Sequence, residues 1–110
     1  MMFTRMYIGE NDDLGKASFR DTLVTLSESE LVPRTLVFWN SAVKACVEGS
    51  PLLPTINKIE RLGVRVLVAG HALEKFNLKG EMRAGKLANH FDLLEAINQA
   101  RKPVGHKILH

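Results

Sequence analysis

Cysteine is almost missing from this chain, which has 110 residues and a single thiol, at Cys46. One thiol cannot close an internal disulfide, and structural disulfides belong mainly to secreted proteins, so the sequence indicates a reducing compartment. The first residues also lack the long apolar core and the small-residue cleavage site of a secretory signal peptide. We therefore expect a cytoplasmic protein.

Long apolar runs and clusters of positive charge are missing too. The longest apolar runs, such as residues 36–39, fall far short of the roughly 18 residues that a membrane-spanning helix needs. The 15 Lys and Arg residues are scattered among 12 Asp and Glu, and Arg101-Lys102 is the only basic run. Nucleic-acid grooves need clustered cations interleaved with aromatic side chains. We therefore expect neither a membrane nor a nucleic acid as partner.

What is present suits one globular domain covering residues 1–110. Apolar residues make up 45% of the chain and charged residues 25%, both ordinary for a globular protein. A chain of this length forms one hydrophobic core, and no linker, repeat or low-complexity segment interrupts it.

Apolar patterning predicts alternating strands and helices. The predicted strands are residues 3–8, 35–39, 64–69 and 103–109. The predicted helices are residues 14–26, 43–47, 52–62, 72–76 and one that begins after Asn89. In that last helix the residues expected to face the sheet are Phe91, Leu94, Ala96 and Ile97. The order predicts an α/β fold, a three-layer α/β/α sandwich with a mostly parallel sheet of about four or five strands.

Ligands of such folds bind beyond the carboxyl ends of the strands, where the connections diverge. In this sequence those ends are residues 9–13, Asn40-Ser41 and Gly70-His71. Asp12 and Asp13 are interpreted as helix-start residues and not as a catalytic pair, because acidic side chains are favoured at a helix N-terminus. A functional site is expected where these three ends converge.

Several stretches at and near these ends match a known family in order and spacing. They are Leu14-Gly15, residues 38–44, Glu48-Gly49-Ser50, Leu62-Gly63-Val64, residues 69–73 and residues 85–89. In them the chain resembles the DsrE/DsrF-like (DsrEFH) family of small sulfur-handling proteins, and within it the carboxyl-terminal domain of YedF-type proteins associated with selenium metabolism. The resemblance implies a DsrEFH-like sandwich, a homo-oligomer and a small sulfur-carrier protein as partner.

The family's reactive residues are replaced in this chain. Where relatives read Cys-Gly-Thr-Cys-Leu, this sequence has Ala69-Gly70-His71-Ala72-Leu73. A persulfide carrier attacks through a thiolate, which alanine lacks, so the family's chemistry is not carried over to these positions. Cys46 is the remaining candidate nucleophile, although it stands one residue before the position, Val47, at which relatives often carry cysteine or a small residue. The alternative is a buried, inert Cys46.

Two histidines are further candidates. His71, at the end of the third predicted strand, would serve as a base or a metal ligand, or as a loop residue that caps a backbone group. His90 would approach His71 if its loop folds over the strand ends. Two histidines without a third ligand make a poor metal site, so we expect no metal and no cofactor.

The polar residues of the strand ends are candidate ligand-binding residues. Asn40 and Ser41 would hold an anionic group beside helix N–H groups, or would cap the following helix, with Lys44 one turn further on. Gly70 and Asn89 complete the predicted binding set with His71, and helix capping is the alternative role of Asn89.

These residues lead to three hypotheses. The first is a non-catalytic binding or scaffolding subunit linked to sulfur or selenium trafficking, or to binding of a small anionic metabolite. The second is a sulfurtransferase or persulfide carrier that uses Cys46. The third is a small hydrolase or isomerase with His71 as base, for which the sequence offers no nucleophile.

Overall fold

The computed structural model describes residues 1–99 and 108–109. Its strands are β1 (Met2–Phe3), β2 (Thr35–Phe38), β3 (Arg65–Ala69), β4 (Lys86–Ala88) and β5 (Ile108–Leu109). Its α-helices are α1 (Asp13–Glu28), α2 (Leu53–Arg61), α3 (Gly70–Lys75) and α4 (His90–Gln99). Two 3₁₀ segments, Asn40–Cys46 and Lys79–Glu81, lie between them.

The strands form one sheet in the order β4-β3-β2-β1-β5, and every neighbouring pair is parallel. Phe3 pairs in register with Phe38, and Phe38 with Val68. The continuous apolar runs of β2 and β3 therefore lie in the middle of the sheet, where both faces are covered. The predicted α/β fold with a parallel sheet is confirmed.

The strand order determines how the helices cover the sheet. The chain steps in one direction from β1 to β4 and then returns across the whole sheet to β5. Because crossovers between parallel strands are right-handed in nearly all proteins, this order predicts α1 and α2 on one face and α4 on the opposite face. On the first face, the Phe19 ring of α1 lies 5.1 Å from the Phe3 ring, and Phe3 stacks on Phe38 at 5.6 Å. These rings form part of the core.

The strand predicted over residues 3–8 ends at Phe3, so that prediction is wrong beyond its first residue. The chain from Thr4 instead bends back over the start of α1, where the Ile8 N–H donates to the Gly15 carbonyl at 3.0 Å. A Cβ atom on Gly15 would collide with the carbonyl oxygen of Glu10. Glycine at this position therefore permits the bend.

Two other predictions fail near the carboxyl end. β4, of three residues, is not predicted, because so short a segment shows no period. In α4, Phe91 and Leu94 are 84% and 57% exposed, whereas Leu93 and Ala96 are buried. The face of α4 that packs inward therefore contains residues 93, 96 and 97, and the prediction that Phe91 and Leu94 face the sheet is wrong. Of the predicted last strand, Ile108–Leu109 is confirmed and residues 103–107 lie outside the described residues.

Within the described ranges, no helix has the length and apolar character to cross a membrane.

Candidate functional site

A cleft of about 470 Å³ opens beyond the carboxyl ends of β1 and β2, between α1 and the start of α2. Its polar lining residues are Tyr7, Asn11, Lys16, Arg20, Ser41 and Lys44. Its apolar lining residues are Met6, Phe19, Pro51 and Leu52. The cleft lies where the fold places ligand sites, and its volume is within the usual range for small-molecule pockets.

The α1 wall of the cleft carries two cations. Asp12 begins the helix by accepting the Gly15 N–H on its carboxylate at 2.8 Å. From this start, Lys16 and Arg20 follow one turn apart and share a face of α1. Phe19 is buried against the sheet, and its packing sets the rotation of α1 so that Lys16 and Arg20 line the cleft. Both cationic side chains are exposed.

The opposite wall is built by the 3₁₀ segment Asn40–Cys46. The hydroxyl of Ser41 donates to the Thr4 carbonyl at 3.4 Å, which ties the segment to the loop after β1. The Lys44 ammonium lies 4.3 Å from the centroid of the Phe76 ring, a cation–π contact. Lys44 thus lines the cleft while one ring face supports its charge.

The capping role expected for Asn40 and Ser41 is wrong. Trp39 occupies the N-cap position of the 3₁₀ segment, and no side chain caps it. Asn40 instead adopts a left-handed backbone with φ of 50°, a conformation that asparagine tolerates better than most residues. This turn redirects the chain from β2 into the wall of the cleft.

The charge of the cleft is positive. Its lining includes Lys16, Arg20 and Lys44 and no carboxylate among the described residues. Arg20 Nε lies 3.4 Å from Asp21 Oδ1 in an exposed pair, and such pairs contribute little. No carboxylate within the described ranges forms an ion pair with Lys16 or Lys44. A ligand anion would therefore meet uncompensated positive charge.

The remaining candidates form a neighbouring cluster at the ends of β2, β3 and β4. The rings of His71 and His90 lie 5.3 Å apart between centroids, and His90 lies 5.7 Å from the Trp39 ring. The expected approach of the two histidines is confirmed. Both are exposed, and no set of three or more His, Cys, Asp or Glu in the described part of the chain is arranged to hold a metal.

Asn89 caps α4, as its alternative role predicted. The Asp92 N–H donates to Asn89 Oδ1 at 2.9 Å, and the Asn89 N–H donates to Asp92 Oδ2 at 3.1 Å. This reciprocal pair satisfies N–H groups at the start of the helix. Gly70 is the first residue of α3, next to His71. The predicted binding set is thus divided. Ser41 and Lys44 line the cleft, whereas Gly70, His71 and Asn89 belong to the histidine side. Asn40, the first residue of the 3₁₀ segment, is not among the lining residues of the cleft.

Cys46 is fully buried. Burial raises the pKa of its thiol above the ordinary value, and the Glu60 carboxylate raises it further. A nucleophilic cysteine needs the opposite environment, an exposed site with a lowered pKa. The structure therefore favours the structural interpretation of Cys46 over the nucleophilic one.

The cleft includes residues that the sequence did not single out, among them Tyr7, Asn11, Lys16 and Arg20. The available signal was the spacing of Lys16 and Arg20, which stand one turn apart on one face of the helix, beside the apolar stripe that contains Phe19. That signal is weak, because exposed cations at this spacing are common on helices.

Comparison of this chain with protein-family models, curated proteins and solved structures finds no match.

Proposed function

We propose that this chain is a DsrE-like binding protein without the family's reactive cysteines. Its function is to hold a small anionic metabolite that carries an apolar group, without chemical conversion. The observation that carries the proposal is the cleft of Lys16, Arg20 and Lys44, which has apolar walls and no carboxylate among its described lining residues.

The absence of conversion follows from the side chains at the strand ends. Ala69 and Ala72, which occupy the cysteine positions implied by the resemblance, are buried methyl groups. Cys46 is buried as well, with a raised thiol pKa. Binding then needs only charge complementarity and apolar contact, and the cleft supplies both.

The expected affinity is modest. Exposed ion pairs contribute about 0.2–1 kcal/mol each. Burial of about 100 Å² of apolar ligand surface against Met6 and Pro51 contributes about 2.5 kcal/mol. Sums of this size correspond to dissociation constants from about 100 μM to a few millimolar. Titrations should cover that range.

The experiment is a titration of the ¹⁵N-labelled chain with phenyl phosphate, followed by amide chemical shifts. We expect the largest shifts at Tyr7, Ser41 and Leu52, which line the cleft. The double variant Lys16→Gln/Arg20→Gln should weaken binding about tenfold, because it removes two of the three cations.

The matched control is Arg65→Gln. Arg65 is an exposed cation at the amino end of β3, away from the carboxyl ends that form the cleft. Its removal changes the net charge but should leave the affinity within about twofold. Shifts that are absent at millimolar phenyl phosphate, or that lie away from the cleft, would overturn the proposed function.

The proposal includes a homo-oligomer in the cytoplasm and a small sulfur-carrier protein as partner. These follow from the family resemblance and from the single cysteine. The exposed Phe91 and Leu94 on α4 support self-association, because a second copy would remove their apolar surface from water.

A further inference from the structure

The cations of the cleft come from two elements. Lys16 and Arg20 project from one face of α1, and Lys44 comes from the 3₁₀ segment on the other wall. A carboxylate presents two oxygens in one plane and one negative charge. A phosphate monoester presents three terminal oxygens around a tetrahedral centre and a charge of about −2 above its second pKa, near 6. Cations on two walls suit the tetrahedral group better.

The charges of these side chains are available to a ligand. Among the described residues, Arg20 shares its guanidinium only with the exposed Asp21, and an exposed pair exchanges readily with solvent. Phe76 supports the Lys44 ammonium without neutralising it, because the attraction comes from a ring quadrupole and not from a negative charge. No ion pair with Lys16 occurs in the described part of the chain. The positive charge therefore exceeds what one carboxylate would balance.

Neutral donors stand beside the cations. Tyr7 and Asn11 line the cleft, and their side chains carry an O–H and N–H groups to offer, whereas the Ser41 hydroxyl already donates its proton to the Thr4 carbonyl. Because phosphate oxygens accept several hydrogen bonds at once, this mixture of neutral and charged donors suits them.

The cleft is larger than the anionic group alone. At about 30 Å³ per water molecule, 470 Å³ holds roughly 15 waters, whereas a phosphate group has five heavy atoms. The rest of the space is bounded by Met6, Phe19, Pro51 and Leu52, of which Met6 is half-buried and Pro51 is exposed, so that both offer apolar surface to a ligand. An apolar part of the ligand fills this space better than water does.

We infer, on the premise of the binding function proposed above, that the occupant of the cleft is a phosphate monoester whose organic part is a compact apolar or aromatic group. The phosphate lies among Lys16, Arg20 and Lys44. The organic part packs on Met6 and Pro51.

The test compares phenyl phosphate with phenyl sulfate at pH 8 by isothermal titration calorimetry. The two esters share their shape, but the sulfate carries one negative charge and the phosphate about two at this pH. Phenyl phosphate should bind about fivefold more tightly, which is about 1 kcal/mol divided over the three cations. In Lys16→Gln and Lys44→Gln this ratio should fall towards one, and in Arg65→Gln it should stay at about five.

Inorganic phosphate tests the apolar part, and we expect it to bind at least tenfold more weakly than phenyl phosphate. Equal affinity for phenyl phosphate and phenyl sulfate would overturn the inference and leave the anion-binding function standing. Inorganic phosphate that binds as tightly as phenyl phosphate would overturn the assignment of an apolar organic part. Failure of both esters to bind would overturn the inference together with the proposed function.

Discussion

At the scale of single residues, Cys46 shows how burial changes the role of a reactive group. Its side chain is fully buried, and both desolvation and Glu60 disfavour its thiolate. The sequence alone left open whether Cys46 was a nucleophile or a core residue. Sequence position cannot decide this, because reactivity depends on the thiol pKa and on exposure, which only packing determines.

The raised pKa of the Cys46 thiol predicts a dependence of stability on pH. Above the ordinary thiol pKa of about 8.5, the unfolded chain loses this proton while the folded chain keeps it. The free energy of unfolding should therefore gain a term that is constant below pH ~8.5 and falls by about 1.4 kcal/mol per pH unit above it. Urea denaturation between pH 7 and 10 measures this slope.

The control for that slope is Cys46→Ala, which removes the thiol but leaves the other titrating groups in place. The wild type should lose stability faster than this variant above pH ~8.5. Parallel curves for the two proteins would contradict a raised pKa of the buried thiol. They would also reopen the sulfurtransferase hypothesis.

The residues of the cleft illustrate a second limit of sequence analysis. Ser41 and Lys44 were predicted from their place after a buried strand, and both line the cleft. Lys16 and Arg20 were not predicted, because nothing in the sequence shows which face of α1 turns towards the strand ends. That face is set by the packing of Phe19 on Phe3.

At the scale of elements, the connection from β1 to α1 is the most constrained part of the cleft. Residues 4–12 fold over the start of α1, and Gly15 faces the carbonyl oxygen of Glu10 with no room for a Cβ atom. Gly15→Ala should lower the free energy of unfolding by about 2–3 kcal/mol, because backbone must move to admit the methyl group. Thermal or urea denaturation measures the loss.

Gly80→Ala is the matched substitution. A Cβ on Gly80 would meet no atom within 4 Å, and its backbone is not left-handed. The same glycine-to-alanine change should therefore alter stability by less than about 1 kcal/mol. Similar losses in both variants would show that Gly15 is not confined by the loop over α1.

The elements also differ in how far the sequence could predict them. β2 and β3 were predicted because an unbroken apolar run marks a strand with two covered faces. β1 was predicted too long, because Met6 and Ile8 pack against the core from a bent loop and do not belong to a hydrogen-bonded strand. The inward face of α4 was misassigned, since a helix with apolar residues on several sides offers more than one stripe.

At the scale of the whole molecule, the parallel order β4-β3-β2-β1-β5 brings the strand ends to one edge, where the cleft and the histidine cluster are neighbours. The fold class was predictable because alternating strands and helices require parallel crossovers. The separation of this edge into a cleft and a histidine cluster was not predictable, because it depends on where Trp39 and Asn40 turn the chain.

Self-association would cover the exposed apolar side chains of α4. Light scattering coupled to size-exclusion chromatography should give the mass of an oligomer at micromolar concentration, and Phe91→Glu should shift it towards the monomer. The control is Glu95→Gln, at an exposed position of the same helix, and it should leave the mass unchanged. A monomeric wild type would refute the expectation.

The most direct test of the central claim is an intermolecular NOE measurement on the chain with phenyl phosphate. If the phosphate is held by Lys16, Arg20 and Lys44, the aromatic protons of the ligand should give NOEs to the methyl group of Met6 and to the ring protons of Pro51, the accessible apolar residues of the lining. NOEs to the rings of Trp39, His71 and His90 would place the ligand at the histidine cluster and contradict the account.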